Sequence, residues 1–61
     1  DLMGRQGRVV ETVQAGGFGR VQIDGDIWKA VTKGDIDIPE GTNDVVVDRA
    51  STIITVEILK N

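Results

Sequence analysis

Apolar and polar positions alternate over short stretches of the chain, and glycine interrupts each stretch before it grows long. From Gly19 to Ile23, Val21 and Ile23 fall on one side and Arg20 and Gln22 on the other, the two-residue period of a half-buried strand. The same period runs from Ile27 to Val31, with Trp28 and Ala30 on one face and Ile27, Lys29 and Val31 on the other. Asp24-Gly25 lies between these runs. Asp-Gly between alternating runs predicts a hairpin, because a type I′ turn needs positive φ at both central residues. Two more strands are predicted, Asp44 to Asp48 and Thr52 to Leu59, joined by a short turn at Arg49-Ala50-Ser51. In the last, Ile54, Val56 and Ile58 oppose Ile53, Thr55, Glu57 and Leu59. The opening strand, about Gly4 to Val13, alternates imperfectly, since Val9 and Val10 would face opposite sides. A bend or bulge resolves that, with Gly7 the candidate corner.

The stretch from Thr32 to Thr42 holds Gly34, Pro39 and Gly41 and reads as a connection without a helix. Elsewhere no window keeps apolar residues at i, i+3, i+4, i+7 without a glycine or a strand-like run breaking it. Five short antiparallel strands with no covering helix hide their apolar faces best by closing into a barrel, which also removes sheet edges. The predicted fold is therefore all-β, a small five-stranded OB-fold-type barrel, with an SH3-like barrel the alternative on strand count. Trp28, the largest apolar side chain, is expected in the core with its indole N–H on a backbone carbonyl.

Composition narrows the function. Sixty-one residues support one domain, 1–61, and a domain this size buries only about 60% of the surface its unfolded chain exposes. With no cysteine and no histidine, neither a disulfide nor the usual zinc ligands can brace it. The chain opens on Asp1 rather than methionine, which suggests a piece of a longer protein whose membrane segments lie outside it. No apolar run approaches the roughly 20 residues of a membrane span.

Catalytic chemistry has little to work with. Any nucleophile would be Ser51 or a threonine, and Ser51 falls in a predicted turn, where hydroxyls bond the local backbone. Asp24-x-Asp26 and Asp35-x-Asp37 are expected as solvated turn acids, and they lack the remaining ligands of a calcium loop. No catalytic residue, metal or cofactor is assigned. The Gly16-Gly17-Phe18-Gly19 stretch is followed by a strand rather than a helix, so it reads as a hairpin tip and not as a phosphate cradle. A phenylalanine there either folds over the barrel end or stands exposed as a contact, which makes Phe18, with Gly16 and Gly17, the candidate partner contact. Single-stranded nucleic acid is the rival ligand, since OB-folds stack bases on aromatics in a basic groove. Arg5, Arg8, Arg20, Lys29 and Lys33 gather in the first half. A net charge of −3 and a total of two aromatic residues oppose that reading.

Several segments fall in a recognisable order. The run Leu2-Met3-Gly4-x-x-Gly7, then Gly19-x-Val21-x-Ile23-Asp24-Gly25-x-x-Trp28-x-Ala30, then Ile38-x-x-Gly41-Thr42 and Ile54-Thr55-Val56-Glu57, resembles the C-terminal soluble domain of NfeD-like proteins. The resemblance covers nearly the whole chain and rests on the combination rather than on one element. It implies an OB-type barrel carried behind transmembrane helices at the cell membrane; the resemblance does not give the side, and the lack of cysteine favours the cytoplasmic one. The resemblance also implies work with stomatin-, prohibitin- or flotillin-like partners, or with a second copy, in membrane organisation or the regulation of membrane proteolysis. Some longer relatives carry a serine protease domain, which nothing in this chain represents. Two departures stand out. Gln14 to Phe18 is longer than the family's usual turn, and Asp44 stands where the family tends to place an apolar residue.

Overall fold

The computed structural model describes residues 1–60. It contains five strands, β1 (Gln6–Glu11), β2 (Gly19–Ile23), β3 (Asp26–Val31), β4 (Asn43–Ala50) and β5 (Ile53–Ile58), and none of the described residues is helical. They close into a barrel in the order β1-β2-β3-β5-β4, with β4 returning to β1. That order is the OB-type arrangement expected from the strand pattern.

The hairpin signals hold locally. Asp24 and Gly25 both take positive φ, 52° and 88°, and place β3 against β2 over five register pairs. In β1 the register slips between Val9 and Glu11, so Val10 is the extra residue that lets Val9 turn inward. A second slip, between Val46 and Asp48, sets Val47 aside in β4. Ends shift by a few residues. Strand four reaches Ala50, so the turn into β5 is Ser51-Thr52 rather than Arg49-Ala50-Ser51. Val13 lies beyond β1 and makes a lone antiparallel bridge to Ile38.

Two expectations are corrected. The strands are not all antiparallel, because β5 runs parallel to β3 through Lys29↔Ile53, Ala30↔Ile54 and Val31↔Thr55. Parallel neighbours require a long crossover, and residues 32–52 supply one that includes β4. Trp28 is not a core residue with its indole on a carbonyl. It is half-buried against the core, and among the described residues its ring is met by the Arg49 guanidinium, 5.0 Å from the centroid. Trp28 pairs with the buried Val21 of β2, and its large ring packs against the core without being enclosed by it.

The core is small and aliphatic: Val9, Val13, Val21, Ile23, Ala30, Ile38, Val46, Ile54 and Val56. Ile38 belongs to the 32–42 connection, which packs into the core at Val13. Two bonds hold that contact, the Val13 N–H to the Ile38 carbonyl and the reverse, each 2.9 Å. The glycine of β1, Gly7, is required by close approach, since a Cβ there would lie 2.6 Å from the Gln22 carbonyl oxygen and 2.8 Å from Ile23 Cγ1.

Candidate functional site

Phe18 ends the β1–β2 connection, just before Gly19 pairs with Ala30. It is 53% exposed, which decides between its two expected fates: it stands out from the rim. The Lys29 ammonium lies 4.1 Å from the centroid of its ring. That contact restrains the phenyl group without covering it and leaves a flat apolar surface beside a positive charge.

The hairpin that carries Phe18 is fastened at its base. Gly16 takes φ +79°, which the turn requires, and the Gly17 N–H donates to the Gln14 carbonyl at 2.9 Å. The Ala15 N–H donates to the Asp37 carboxylate at 2.8 Å, tying this hairpin to the 32–38 loop. Asp37 is thus a clasp between two rim loops, whereas its expected role was a solvated acid. The other singled-out residues do not converge. Asp24 pairs with Arg5, Arg20 with Glu11 at 3.4 Å, and Ser51 sits in its turn at φ 60°. Among the described residues no three acids come together to hold a metal. Of the basic residues of the first half, Arg5 and Arg20 are in separate ion pairs, Lys29 meets Phe18, and Arg8 and Lys33 line different hollows, so the five do not share one groove.

Asp44 is the group that sequence reasoning flagged for the wrong reason. It is fully buried, and among the described residues neither carboxylate oxygen has a hydrogen-bond partner. Burial pushes its pKa up from 3.8 to about 6. It lies opposite Gly7 of β1 and Ile58 of β5. The signal in the sequence was its place in an otherwise apolar strand, Asp44-Val45-Val46-Val47. Among the described residues no hydrogen-bonding group meets this carboxyl, so none is placed to act with it in proton transfer.

Two hollows mark the outer surface. One, about 450 Å³, lies across β1 and is walled by Gln6, Arg8, Gln22, Asp24 and Asn43. Its groups are amides, a guanidinium and a carboxylate already paired with Arg5, and none is arranged for acid–base or nucleophilic work. The other, about 260 Å³, lies between the 32–38 loop and the end of β5.

The rim hairpin thus presents an exposed aromatic beside a lysine. The model of the NfeD-like C-terminal, partner-binding domain matches residues 1–57. The chain belongs to that family. Its fold matches the C-terminal domain of stomatin operon partner protein 1510-C from Pyrococcus horikoshii, with a TM-score of 0.90 and 28% identity over 98% of this chain and 91% of that one. It matches the soluble domain of a membrane protein implicated in regulation of membrane protease activity from Corynebacterium glutamicum, at 0.85 and 33% over 93% and 90%. The soluble domain of the NfeD protein YuaF from Bacillus subtilis gives 0.88 and 34% over 100% and 77%. Among curated protein sequences nothing matches. This NfeD-like barrel is a partner-binding domain, and its partner is a protein.

Proposed function

We propose that this NfeD-like barrel, one domain over 1–61, is the non-catalytic interaction module of a membrane-anchored protein. It engages a stomatin-, prohibitin- or flotillin-like partner in membrane organisation or the regulation of membrane proteolysis. Similarity to a stomatin operon partner protein and to a membrane protein implicated in membrane protease regulation supports the setting. The lack of cysteine fits a reducing compartment, and the barrel is assigned to the cytoplasmic face of the cell membrane.

The single observation that carries the reading at residue level is Phe18, exposed on a hairpin that Asp37 and Lys29 hold in place. Aromatic anchors that need no ordering on binding are the residues on which interfaces concentrate their energy. Gly16 and Gly17 let the hairpin tip approach the partner closely. The test is a titration of the isotope-labelled domain with a stomatin-like protein, followed by amide shifts, beside Phe18→Ala. Shifts centred on Gly16 to Gly19, and binding weakened about ten-fold by the substitution, are expected. Unchanged affinity in Phe18→Ala removes Phe18 from the interface. Salt-sensitive retention on single-stranded DNA would replace the protein partner with nucleic acid.

A further inference from the structure

We propose that the groove between the 32–38 loop and the end of β5 is a second docking surface, and that it takes an apolar side chain from an acidic segment of the protein partner. The proposal rests on the partner-binding reading above and adds to it the place and the chemistry of a contact.

Three isoleucines build the groove. Ile38 is its buried floor, Ile58 is 46% exposed and Ile36 is 75% exposed. One exposed isoleucine is ordinary, but two beside a shared hollow form a patch that water covers poorly. Their sequence positions explain the exposure. Ile58 shares the alternation of the buried Ile54 and Val56 but is the last residue of β5. Ile36 rides a loop whose two neighbouring attachments, Ile38 to Val13 and Asp37 to the Ala15 N–H, hold it away from the core. A volume of about 260 Å³ falls below the roughly 300–1,000 Å³ of small-molecule pockets. It suits one or two inserted side chains, the form that an interface anchor takes.

Charge selects the occupant. Lys33 and Lys60 both line the groove and are exposed, and among the described residues neither is in an ion pair. Glu57 is the one acid in the lining. Asp35 and Asp37 flank Ile36 in the loop, but they do not line the hollow, and the Asp37 carboxylate is engaged by Ala15. The lining itself thus holds two cations against one anion, a net of +1, on a chain whose net charge is −3. Carboxylates flanking an apolar side chain would complement it. A second copy docking through the same groove would set lysines against lysines in a two-fold contact. Nucleic acid would find no aromatic in the groove on which to stack. The braced loop needs little ordering when a partner arrives, which lowers the cost of association.

The test uses two amphipathic peptides with the same leucines, one carrying glutamates and the other lysines, titrated into the labelled domain. The glutamate peptide is expected to shift the amides of Lys33, Ile36 and Ile58, and to bind several-fold more weakly as salt rises from about 50 to 300 mM. The double variant Lys33→Glu with Lys60→Glu should lose about ten-fold for the glutamate peptide and gain for the lysine peptide. These side chains are exposed, so the variant keeps its fold, checked by its amide spectrum. Equal binding by the wild type and the variant overturns the proposal, as does a glutamate peptide that leaves the groove amides unmoved. Titration with a stomatin-like protein separates the two readings. Shifts confined to the Phe18 hairpin overturn the groove and leave the partner-binding reading standing. Loss of all shifts overturns the stomatin-like partner itself.

Discussion

The β2–β3 hairpin and the β1–β4 seam are neighbouring parts of one barrel wall, built in different ways. The hairpin pairs five residues with five across a two-residue turn, and its inward positions Val21, Ile23 and Ala30 are buried. Everything it needs is local: alternation, an Asp-Gly turn and β-branched side chains. The seam pairs three residues, Gln6↔Val45, Gly7↔Asp44 and Arg8↔Asn43, across most of the chain. At its centre a glycine meets a buried carboxylate that has no hydrogen-bond partner among the described residues, so hydrophobic pairing contributes little there. Backbone bonds on both flanks take its place. The Gly4 N–H donates to the Val46 carbonyl and the Val46 N–H to the Arg5 carbonyl, each at 2.9 Å, and the Gly41 N–H donates to the Val9 carbonyl at 2.7 Å. The contrast teaches that a barrel can close over a position that disfavours closure, provided the flanking backbone is fully paired.

The seam is where the barrel should break first. Gly7→Val would drive side-chain carbon into the Gln22 carbonyl and Ile23, and a loss of about 3 kcal/mol is expected in chemical denaturation. For a domain this size that is a large share of the total stability. A loss below about 1 kcal/mol would show that the seam can open to admit the side chain.

Asp44 gives the seam a pH dependence that the hairpin lacks. Its folded pKa, about 6, lies above the ordinary 3.8, so the folded state binds the proton more tightly than the unfolded chain does. That stabilisation is fully present below about pH 4 and is lost as pH rises through about 6, some 3 kcal/mol in all. Denaturation across this window should show the fall. Asp44→Val should flatten it and gain about 2 kcal/mol at pH 7, because an apolar side chain there has no charge to desolvate. An unchanged pH profile in the variant would remove Asp44 as its source.

Smaller effects belong to the hairpin. Gly25→Ala places a Cβ at φ 88°, and a cost of about 1 kcal/mol is expected in thermal denaturation, without change in register. Smaller still is Arg5→Ala. The Arg5–Asp24 pair joins β1's approach to the hairpin turn, but both side chains are more than half exposed, so the change should stay within about 0.5 kcal/mol. A larger loss would mean that this exposed pair helps set the hairpin against the seam.

Alternation and turn chemistry were enough to read five strands, the Asp24-Gly25 turn, an irregularity in the first strand and an OB-type barrel from the sequence alone, although that irregularity falls at Val10 and not at the expected corner, Gly7. Each of these depends on side chains a few residues apart. Composition likewise limited the chemistry, since without histidine or cysteine the chain has few groups able to act as base or nucleophile. Phe18 was legible as a rim residue because glycines surround it, but its contact with Lys29, eleven residues away in sequence, was not. Tertiary structure alone decided the parallel pairing of β3 with β5, the half-burial of Trp28 under Arg49, and the burial of Ile38 against Val13. It alone brought Ile36, Ile58, Lys33 and Lys60 around one groove, and left Asp44 buried without a hydrogen-bond partner among the described residues. Those outcomes depend on how far the strands are staggered when the barrel closes, a quantity that belongs to the whole sheet and that no local pattern encodes.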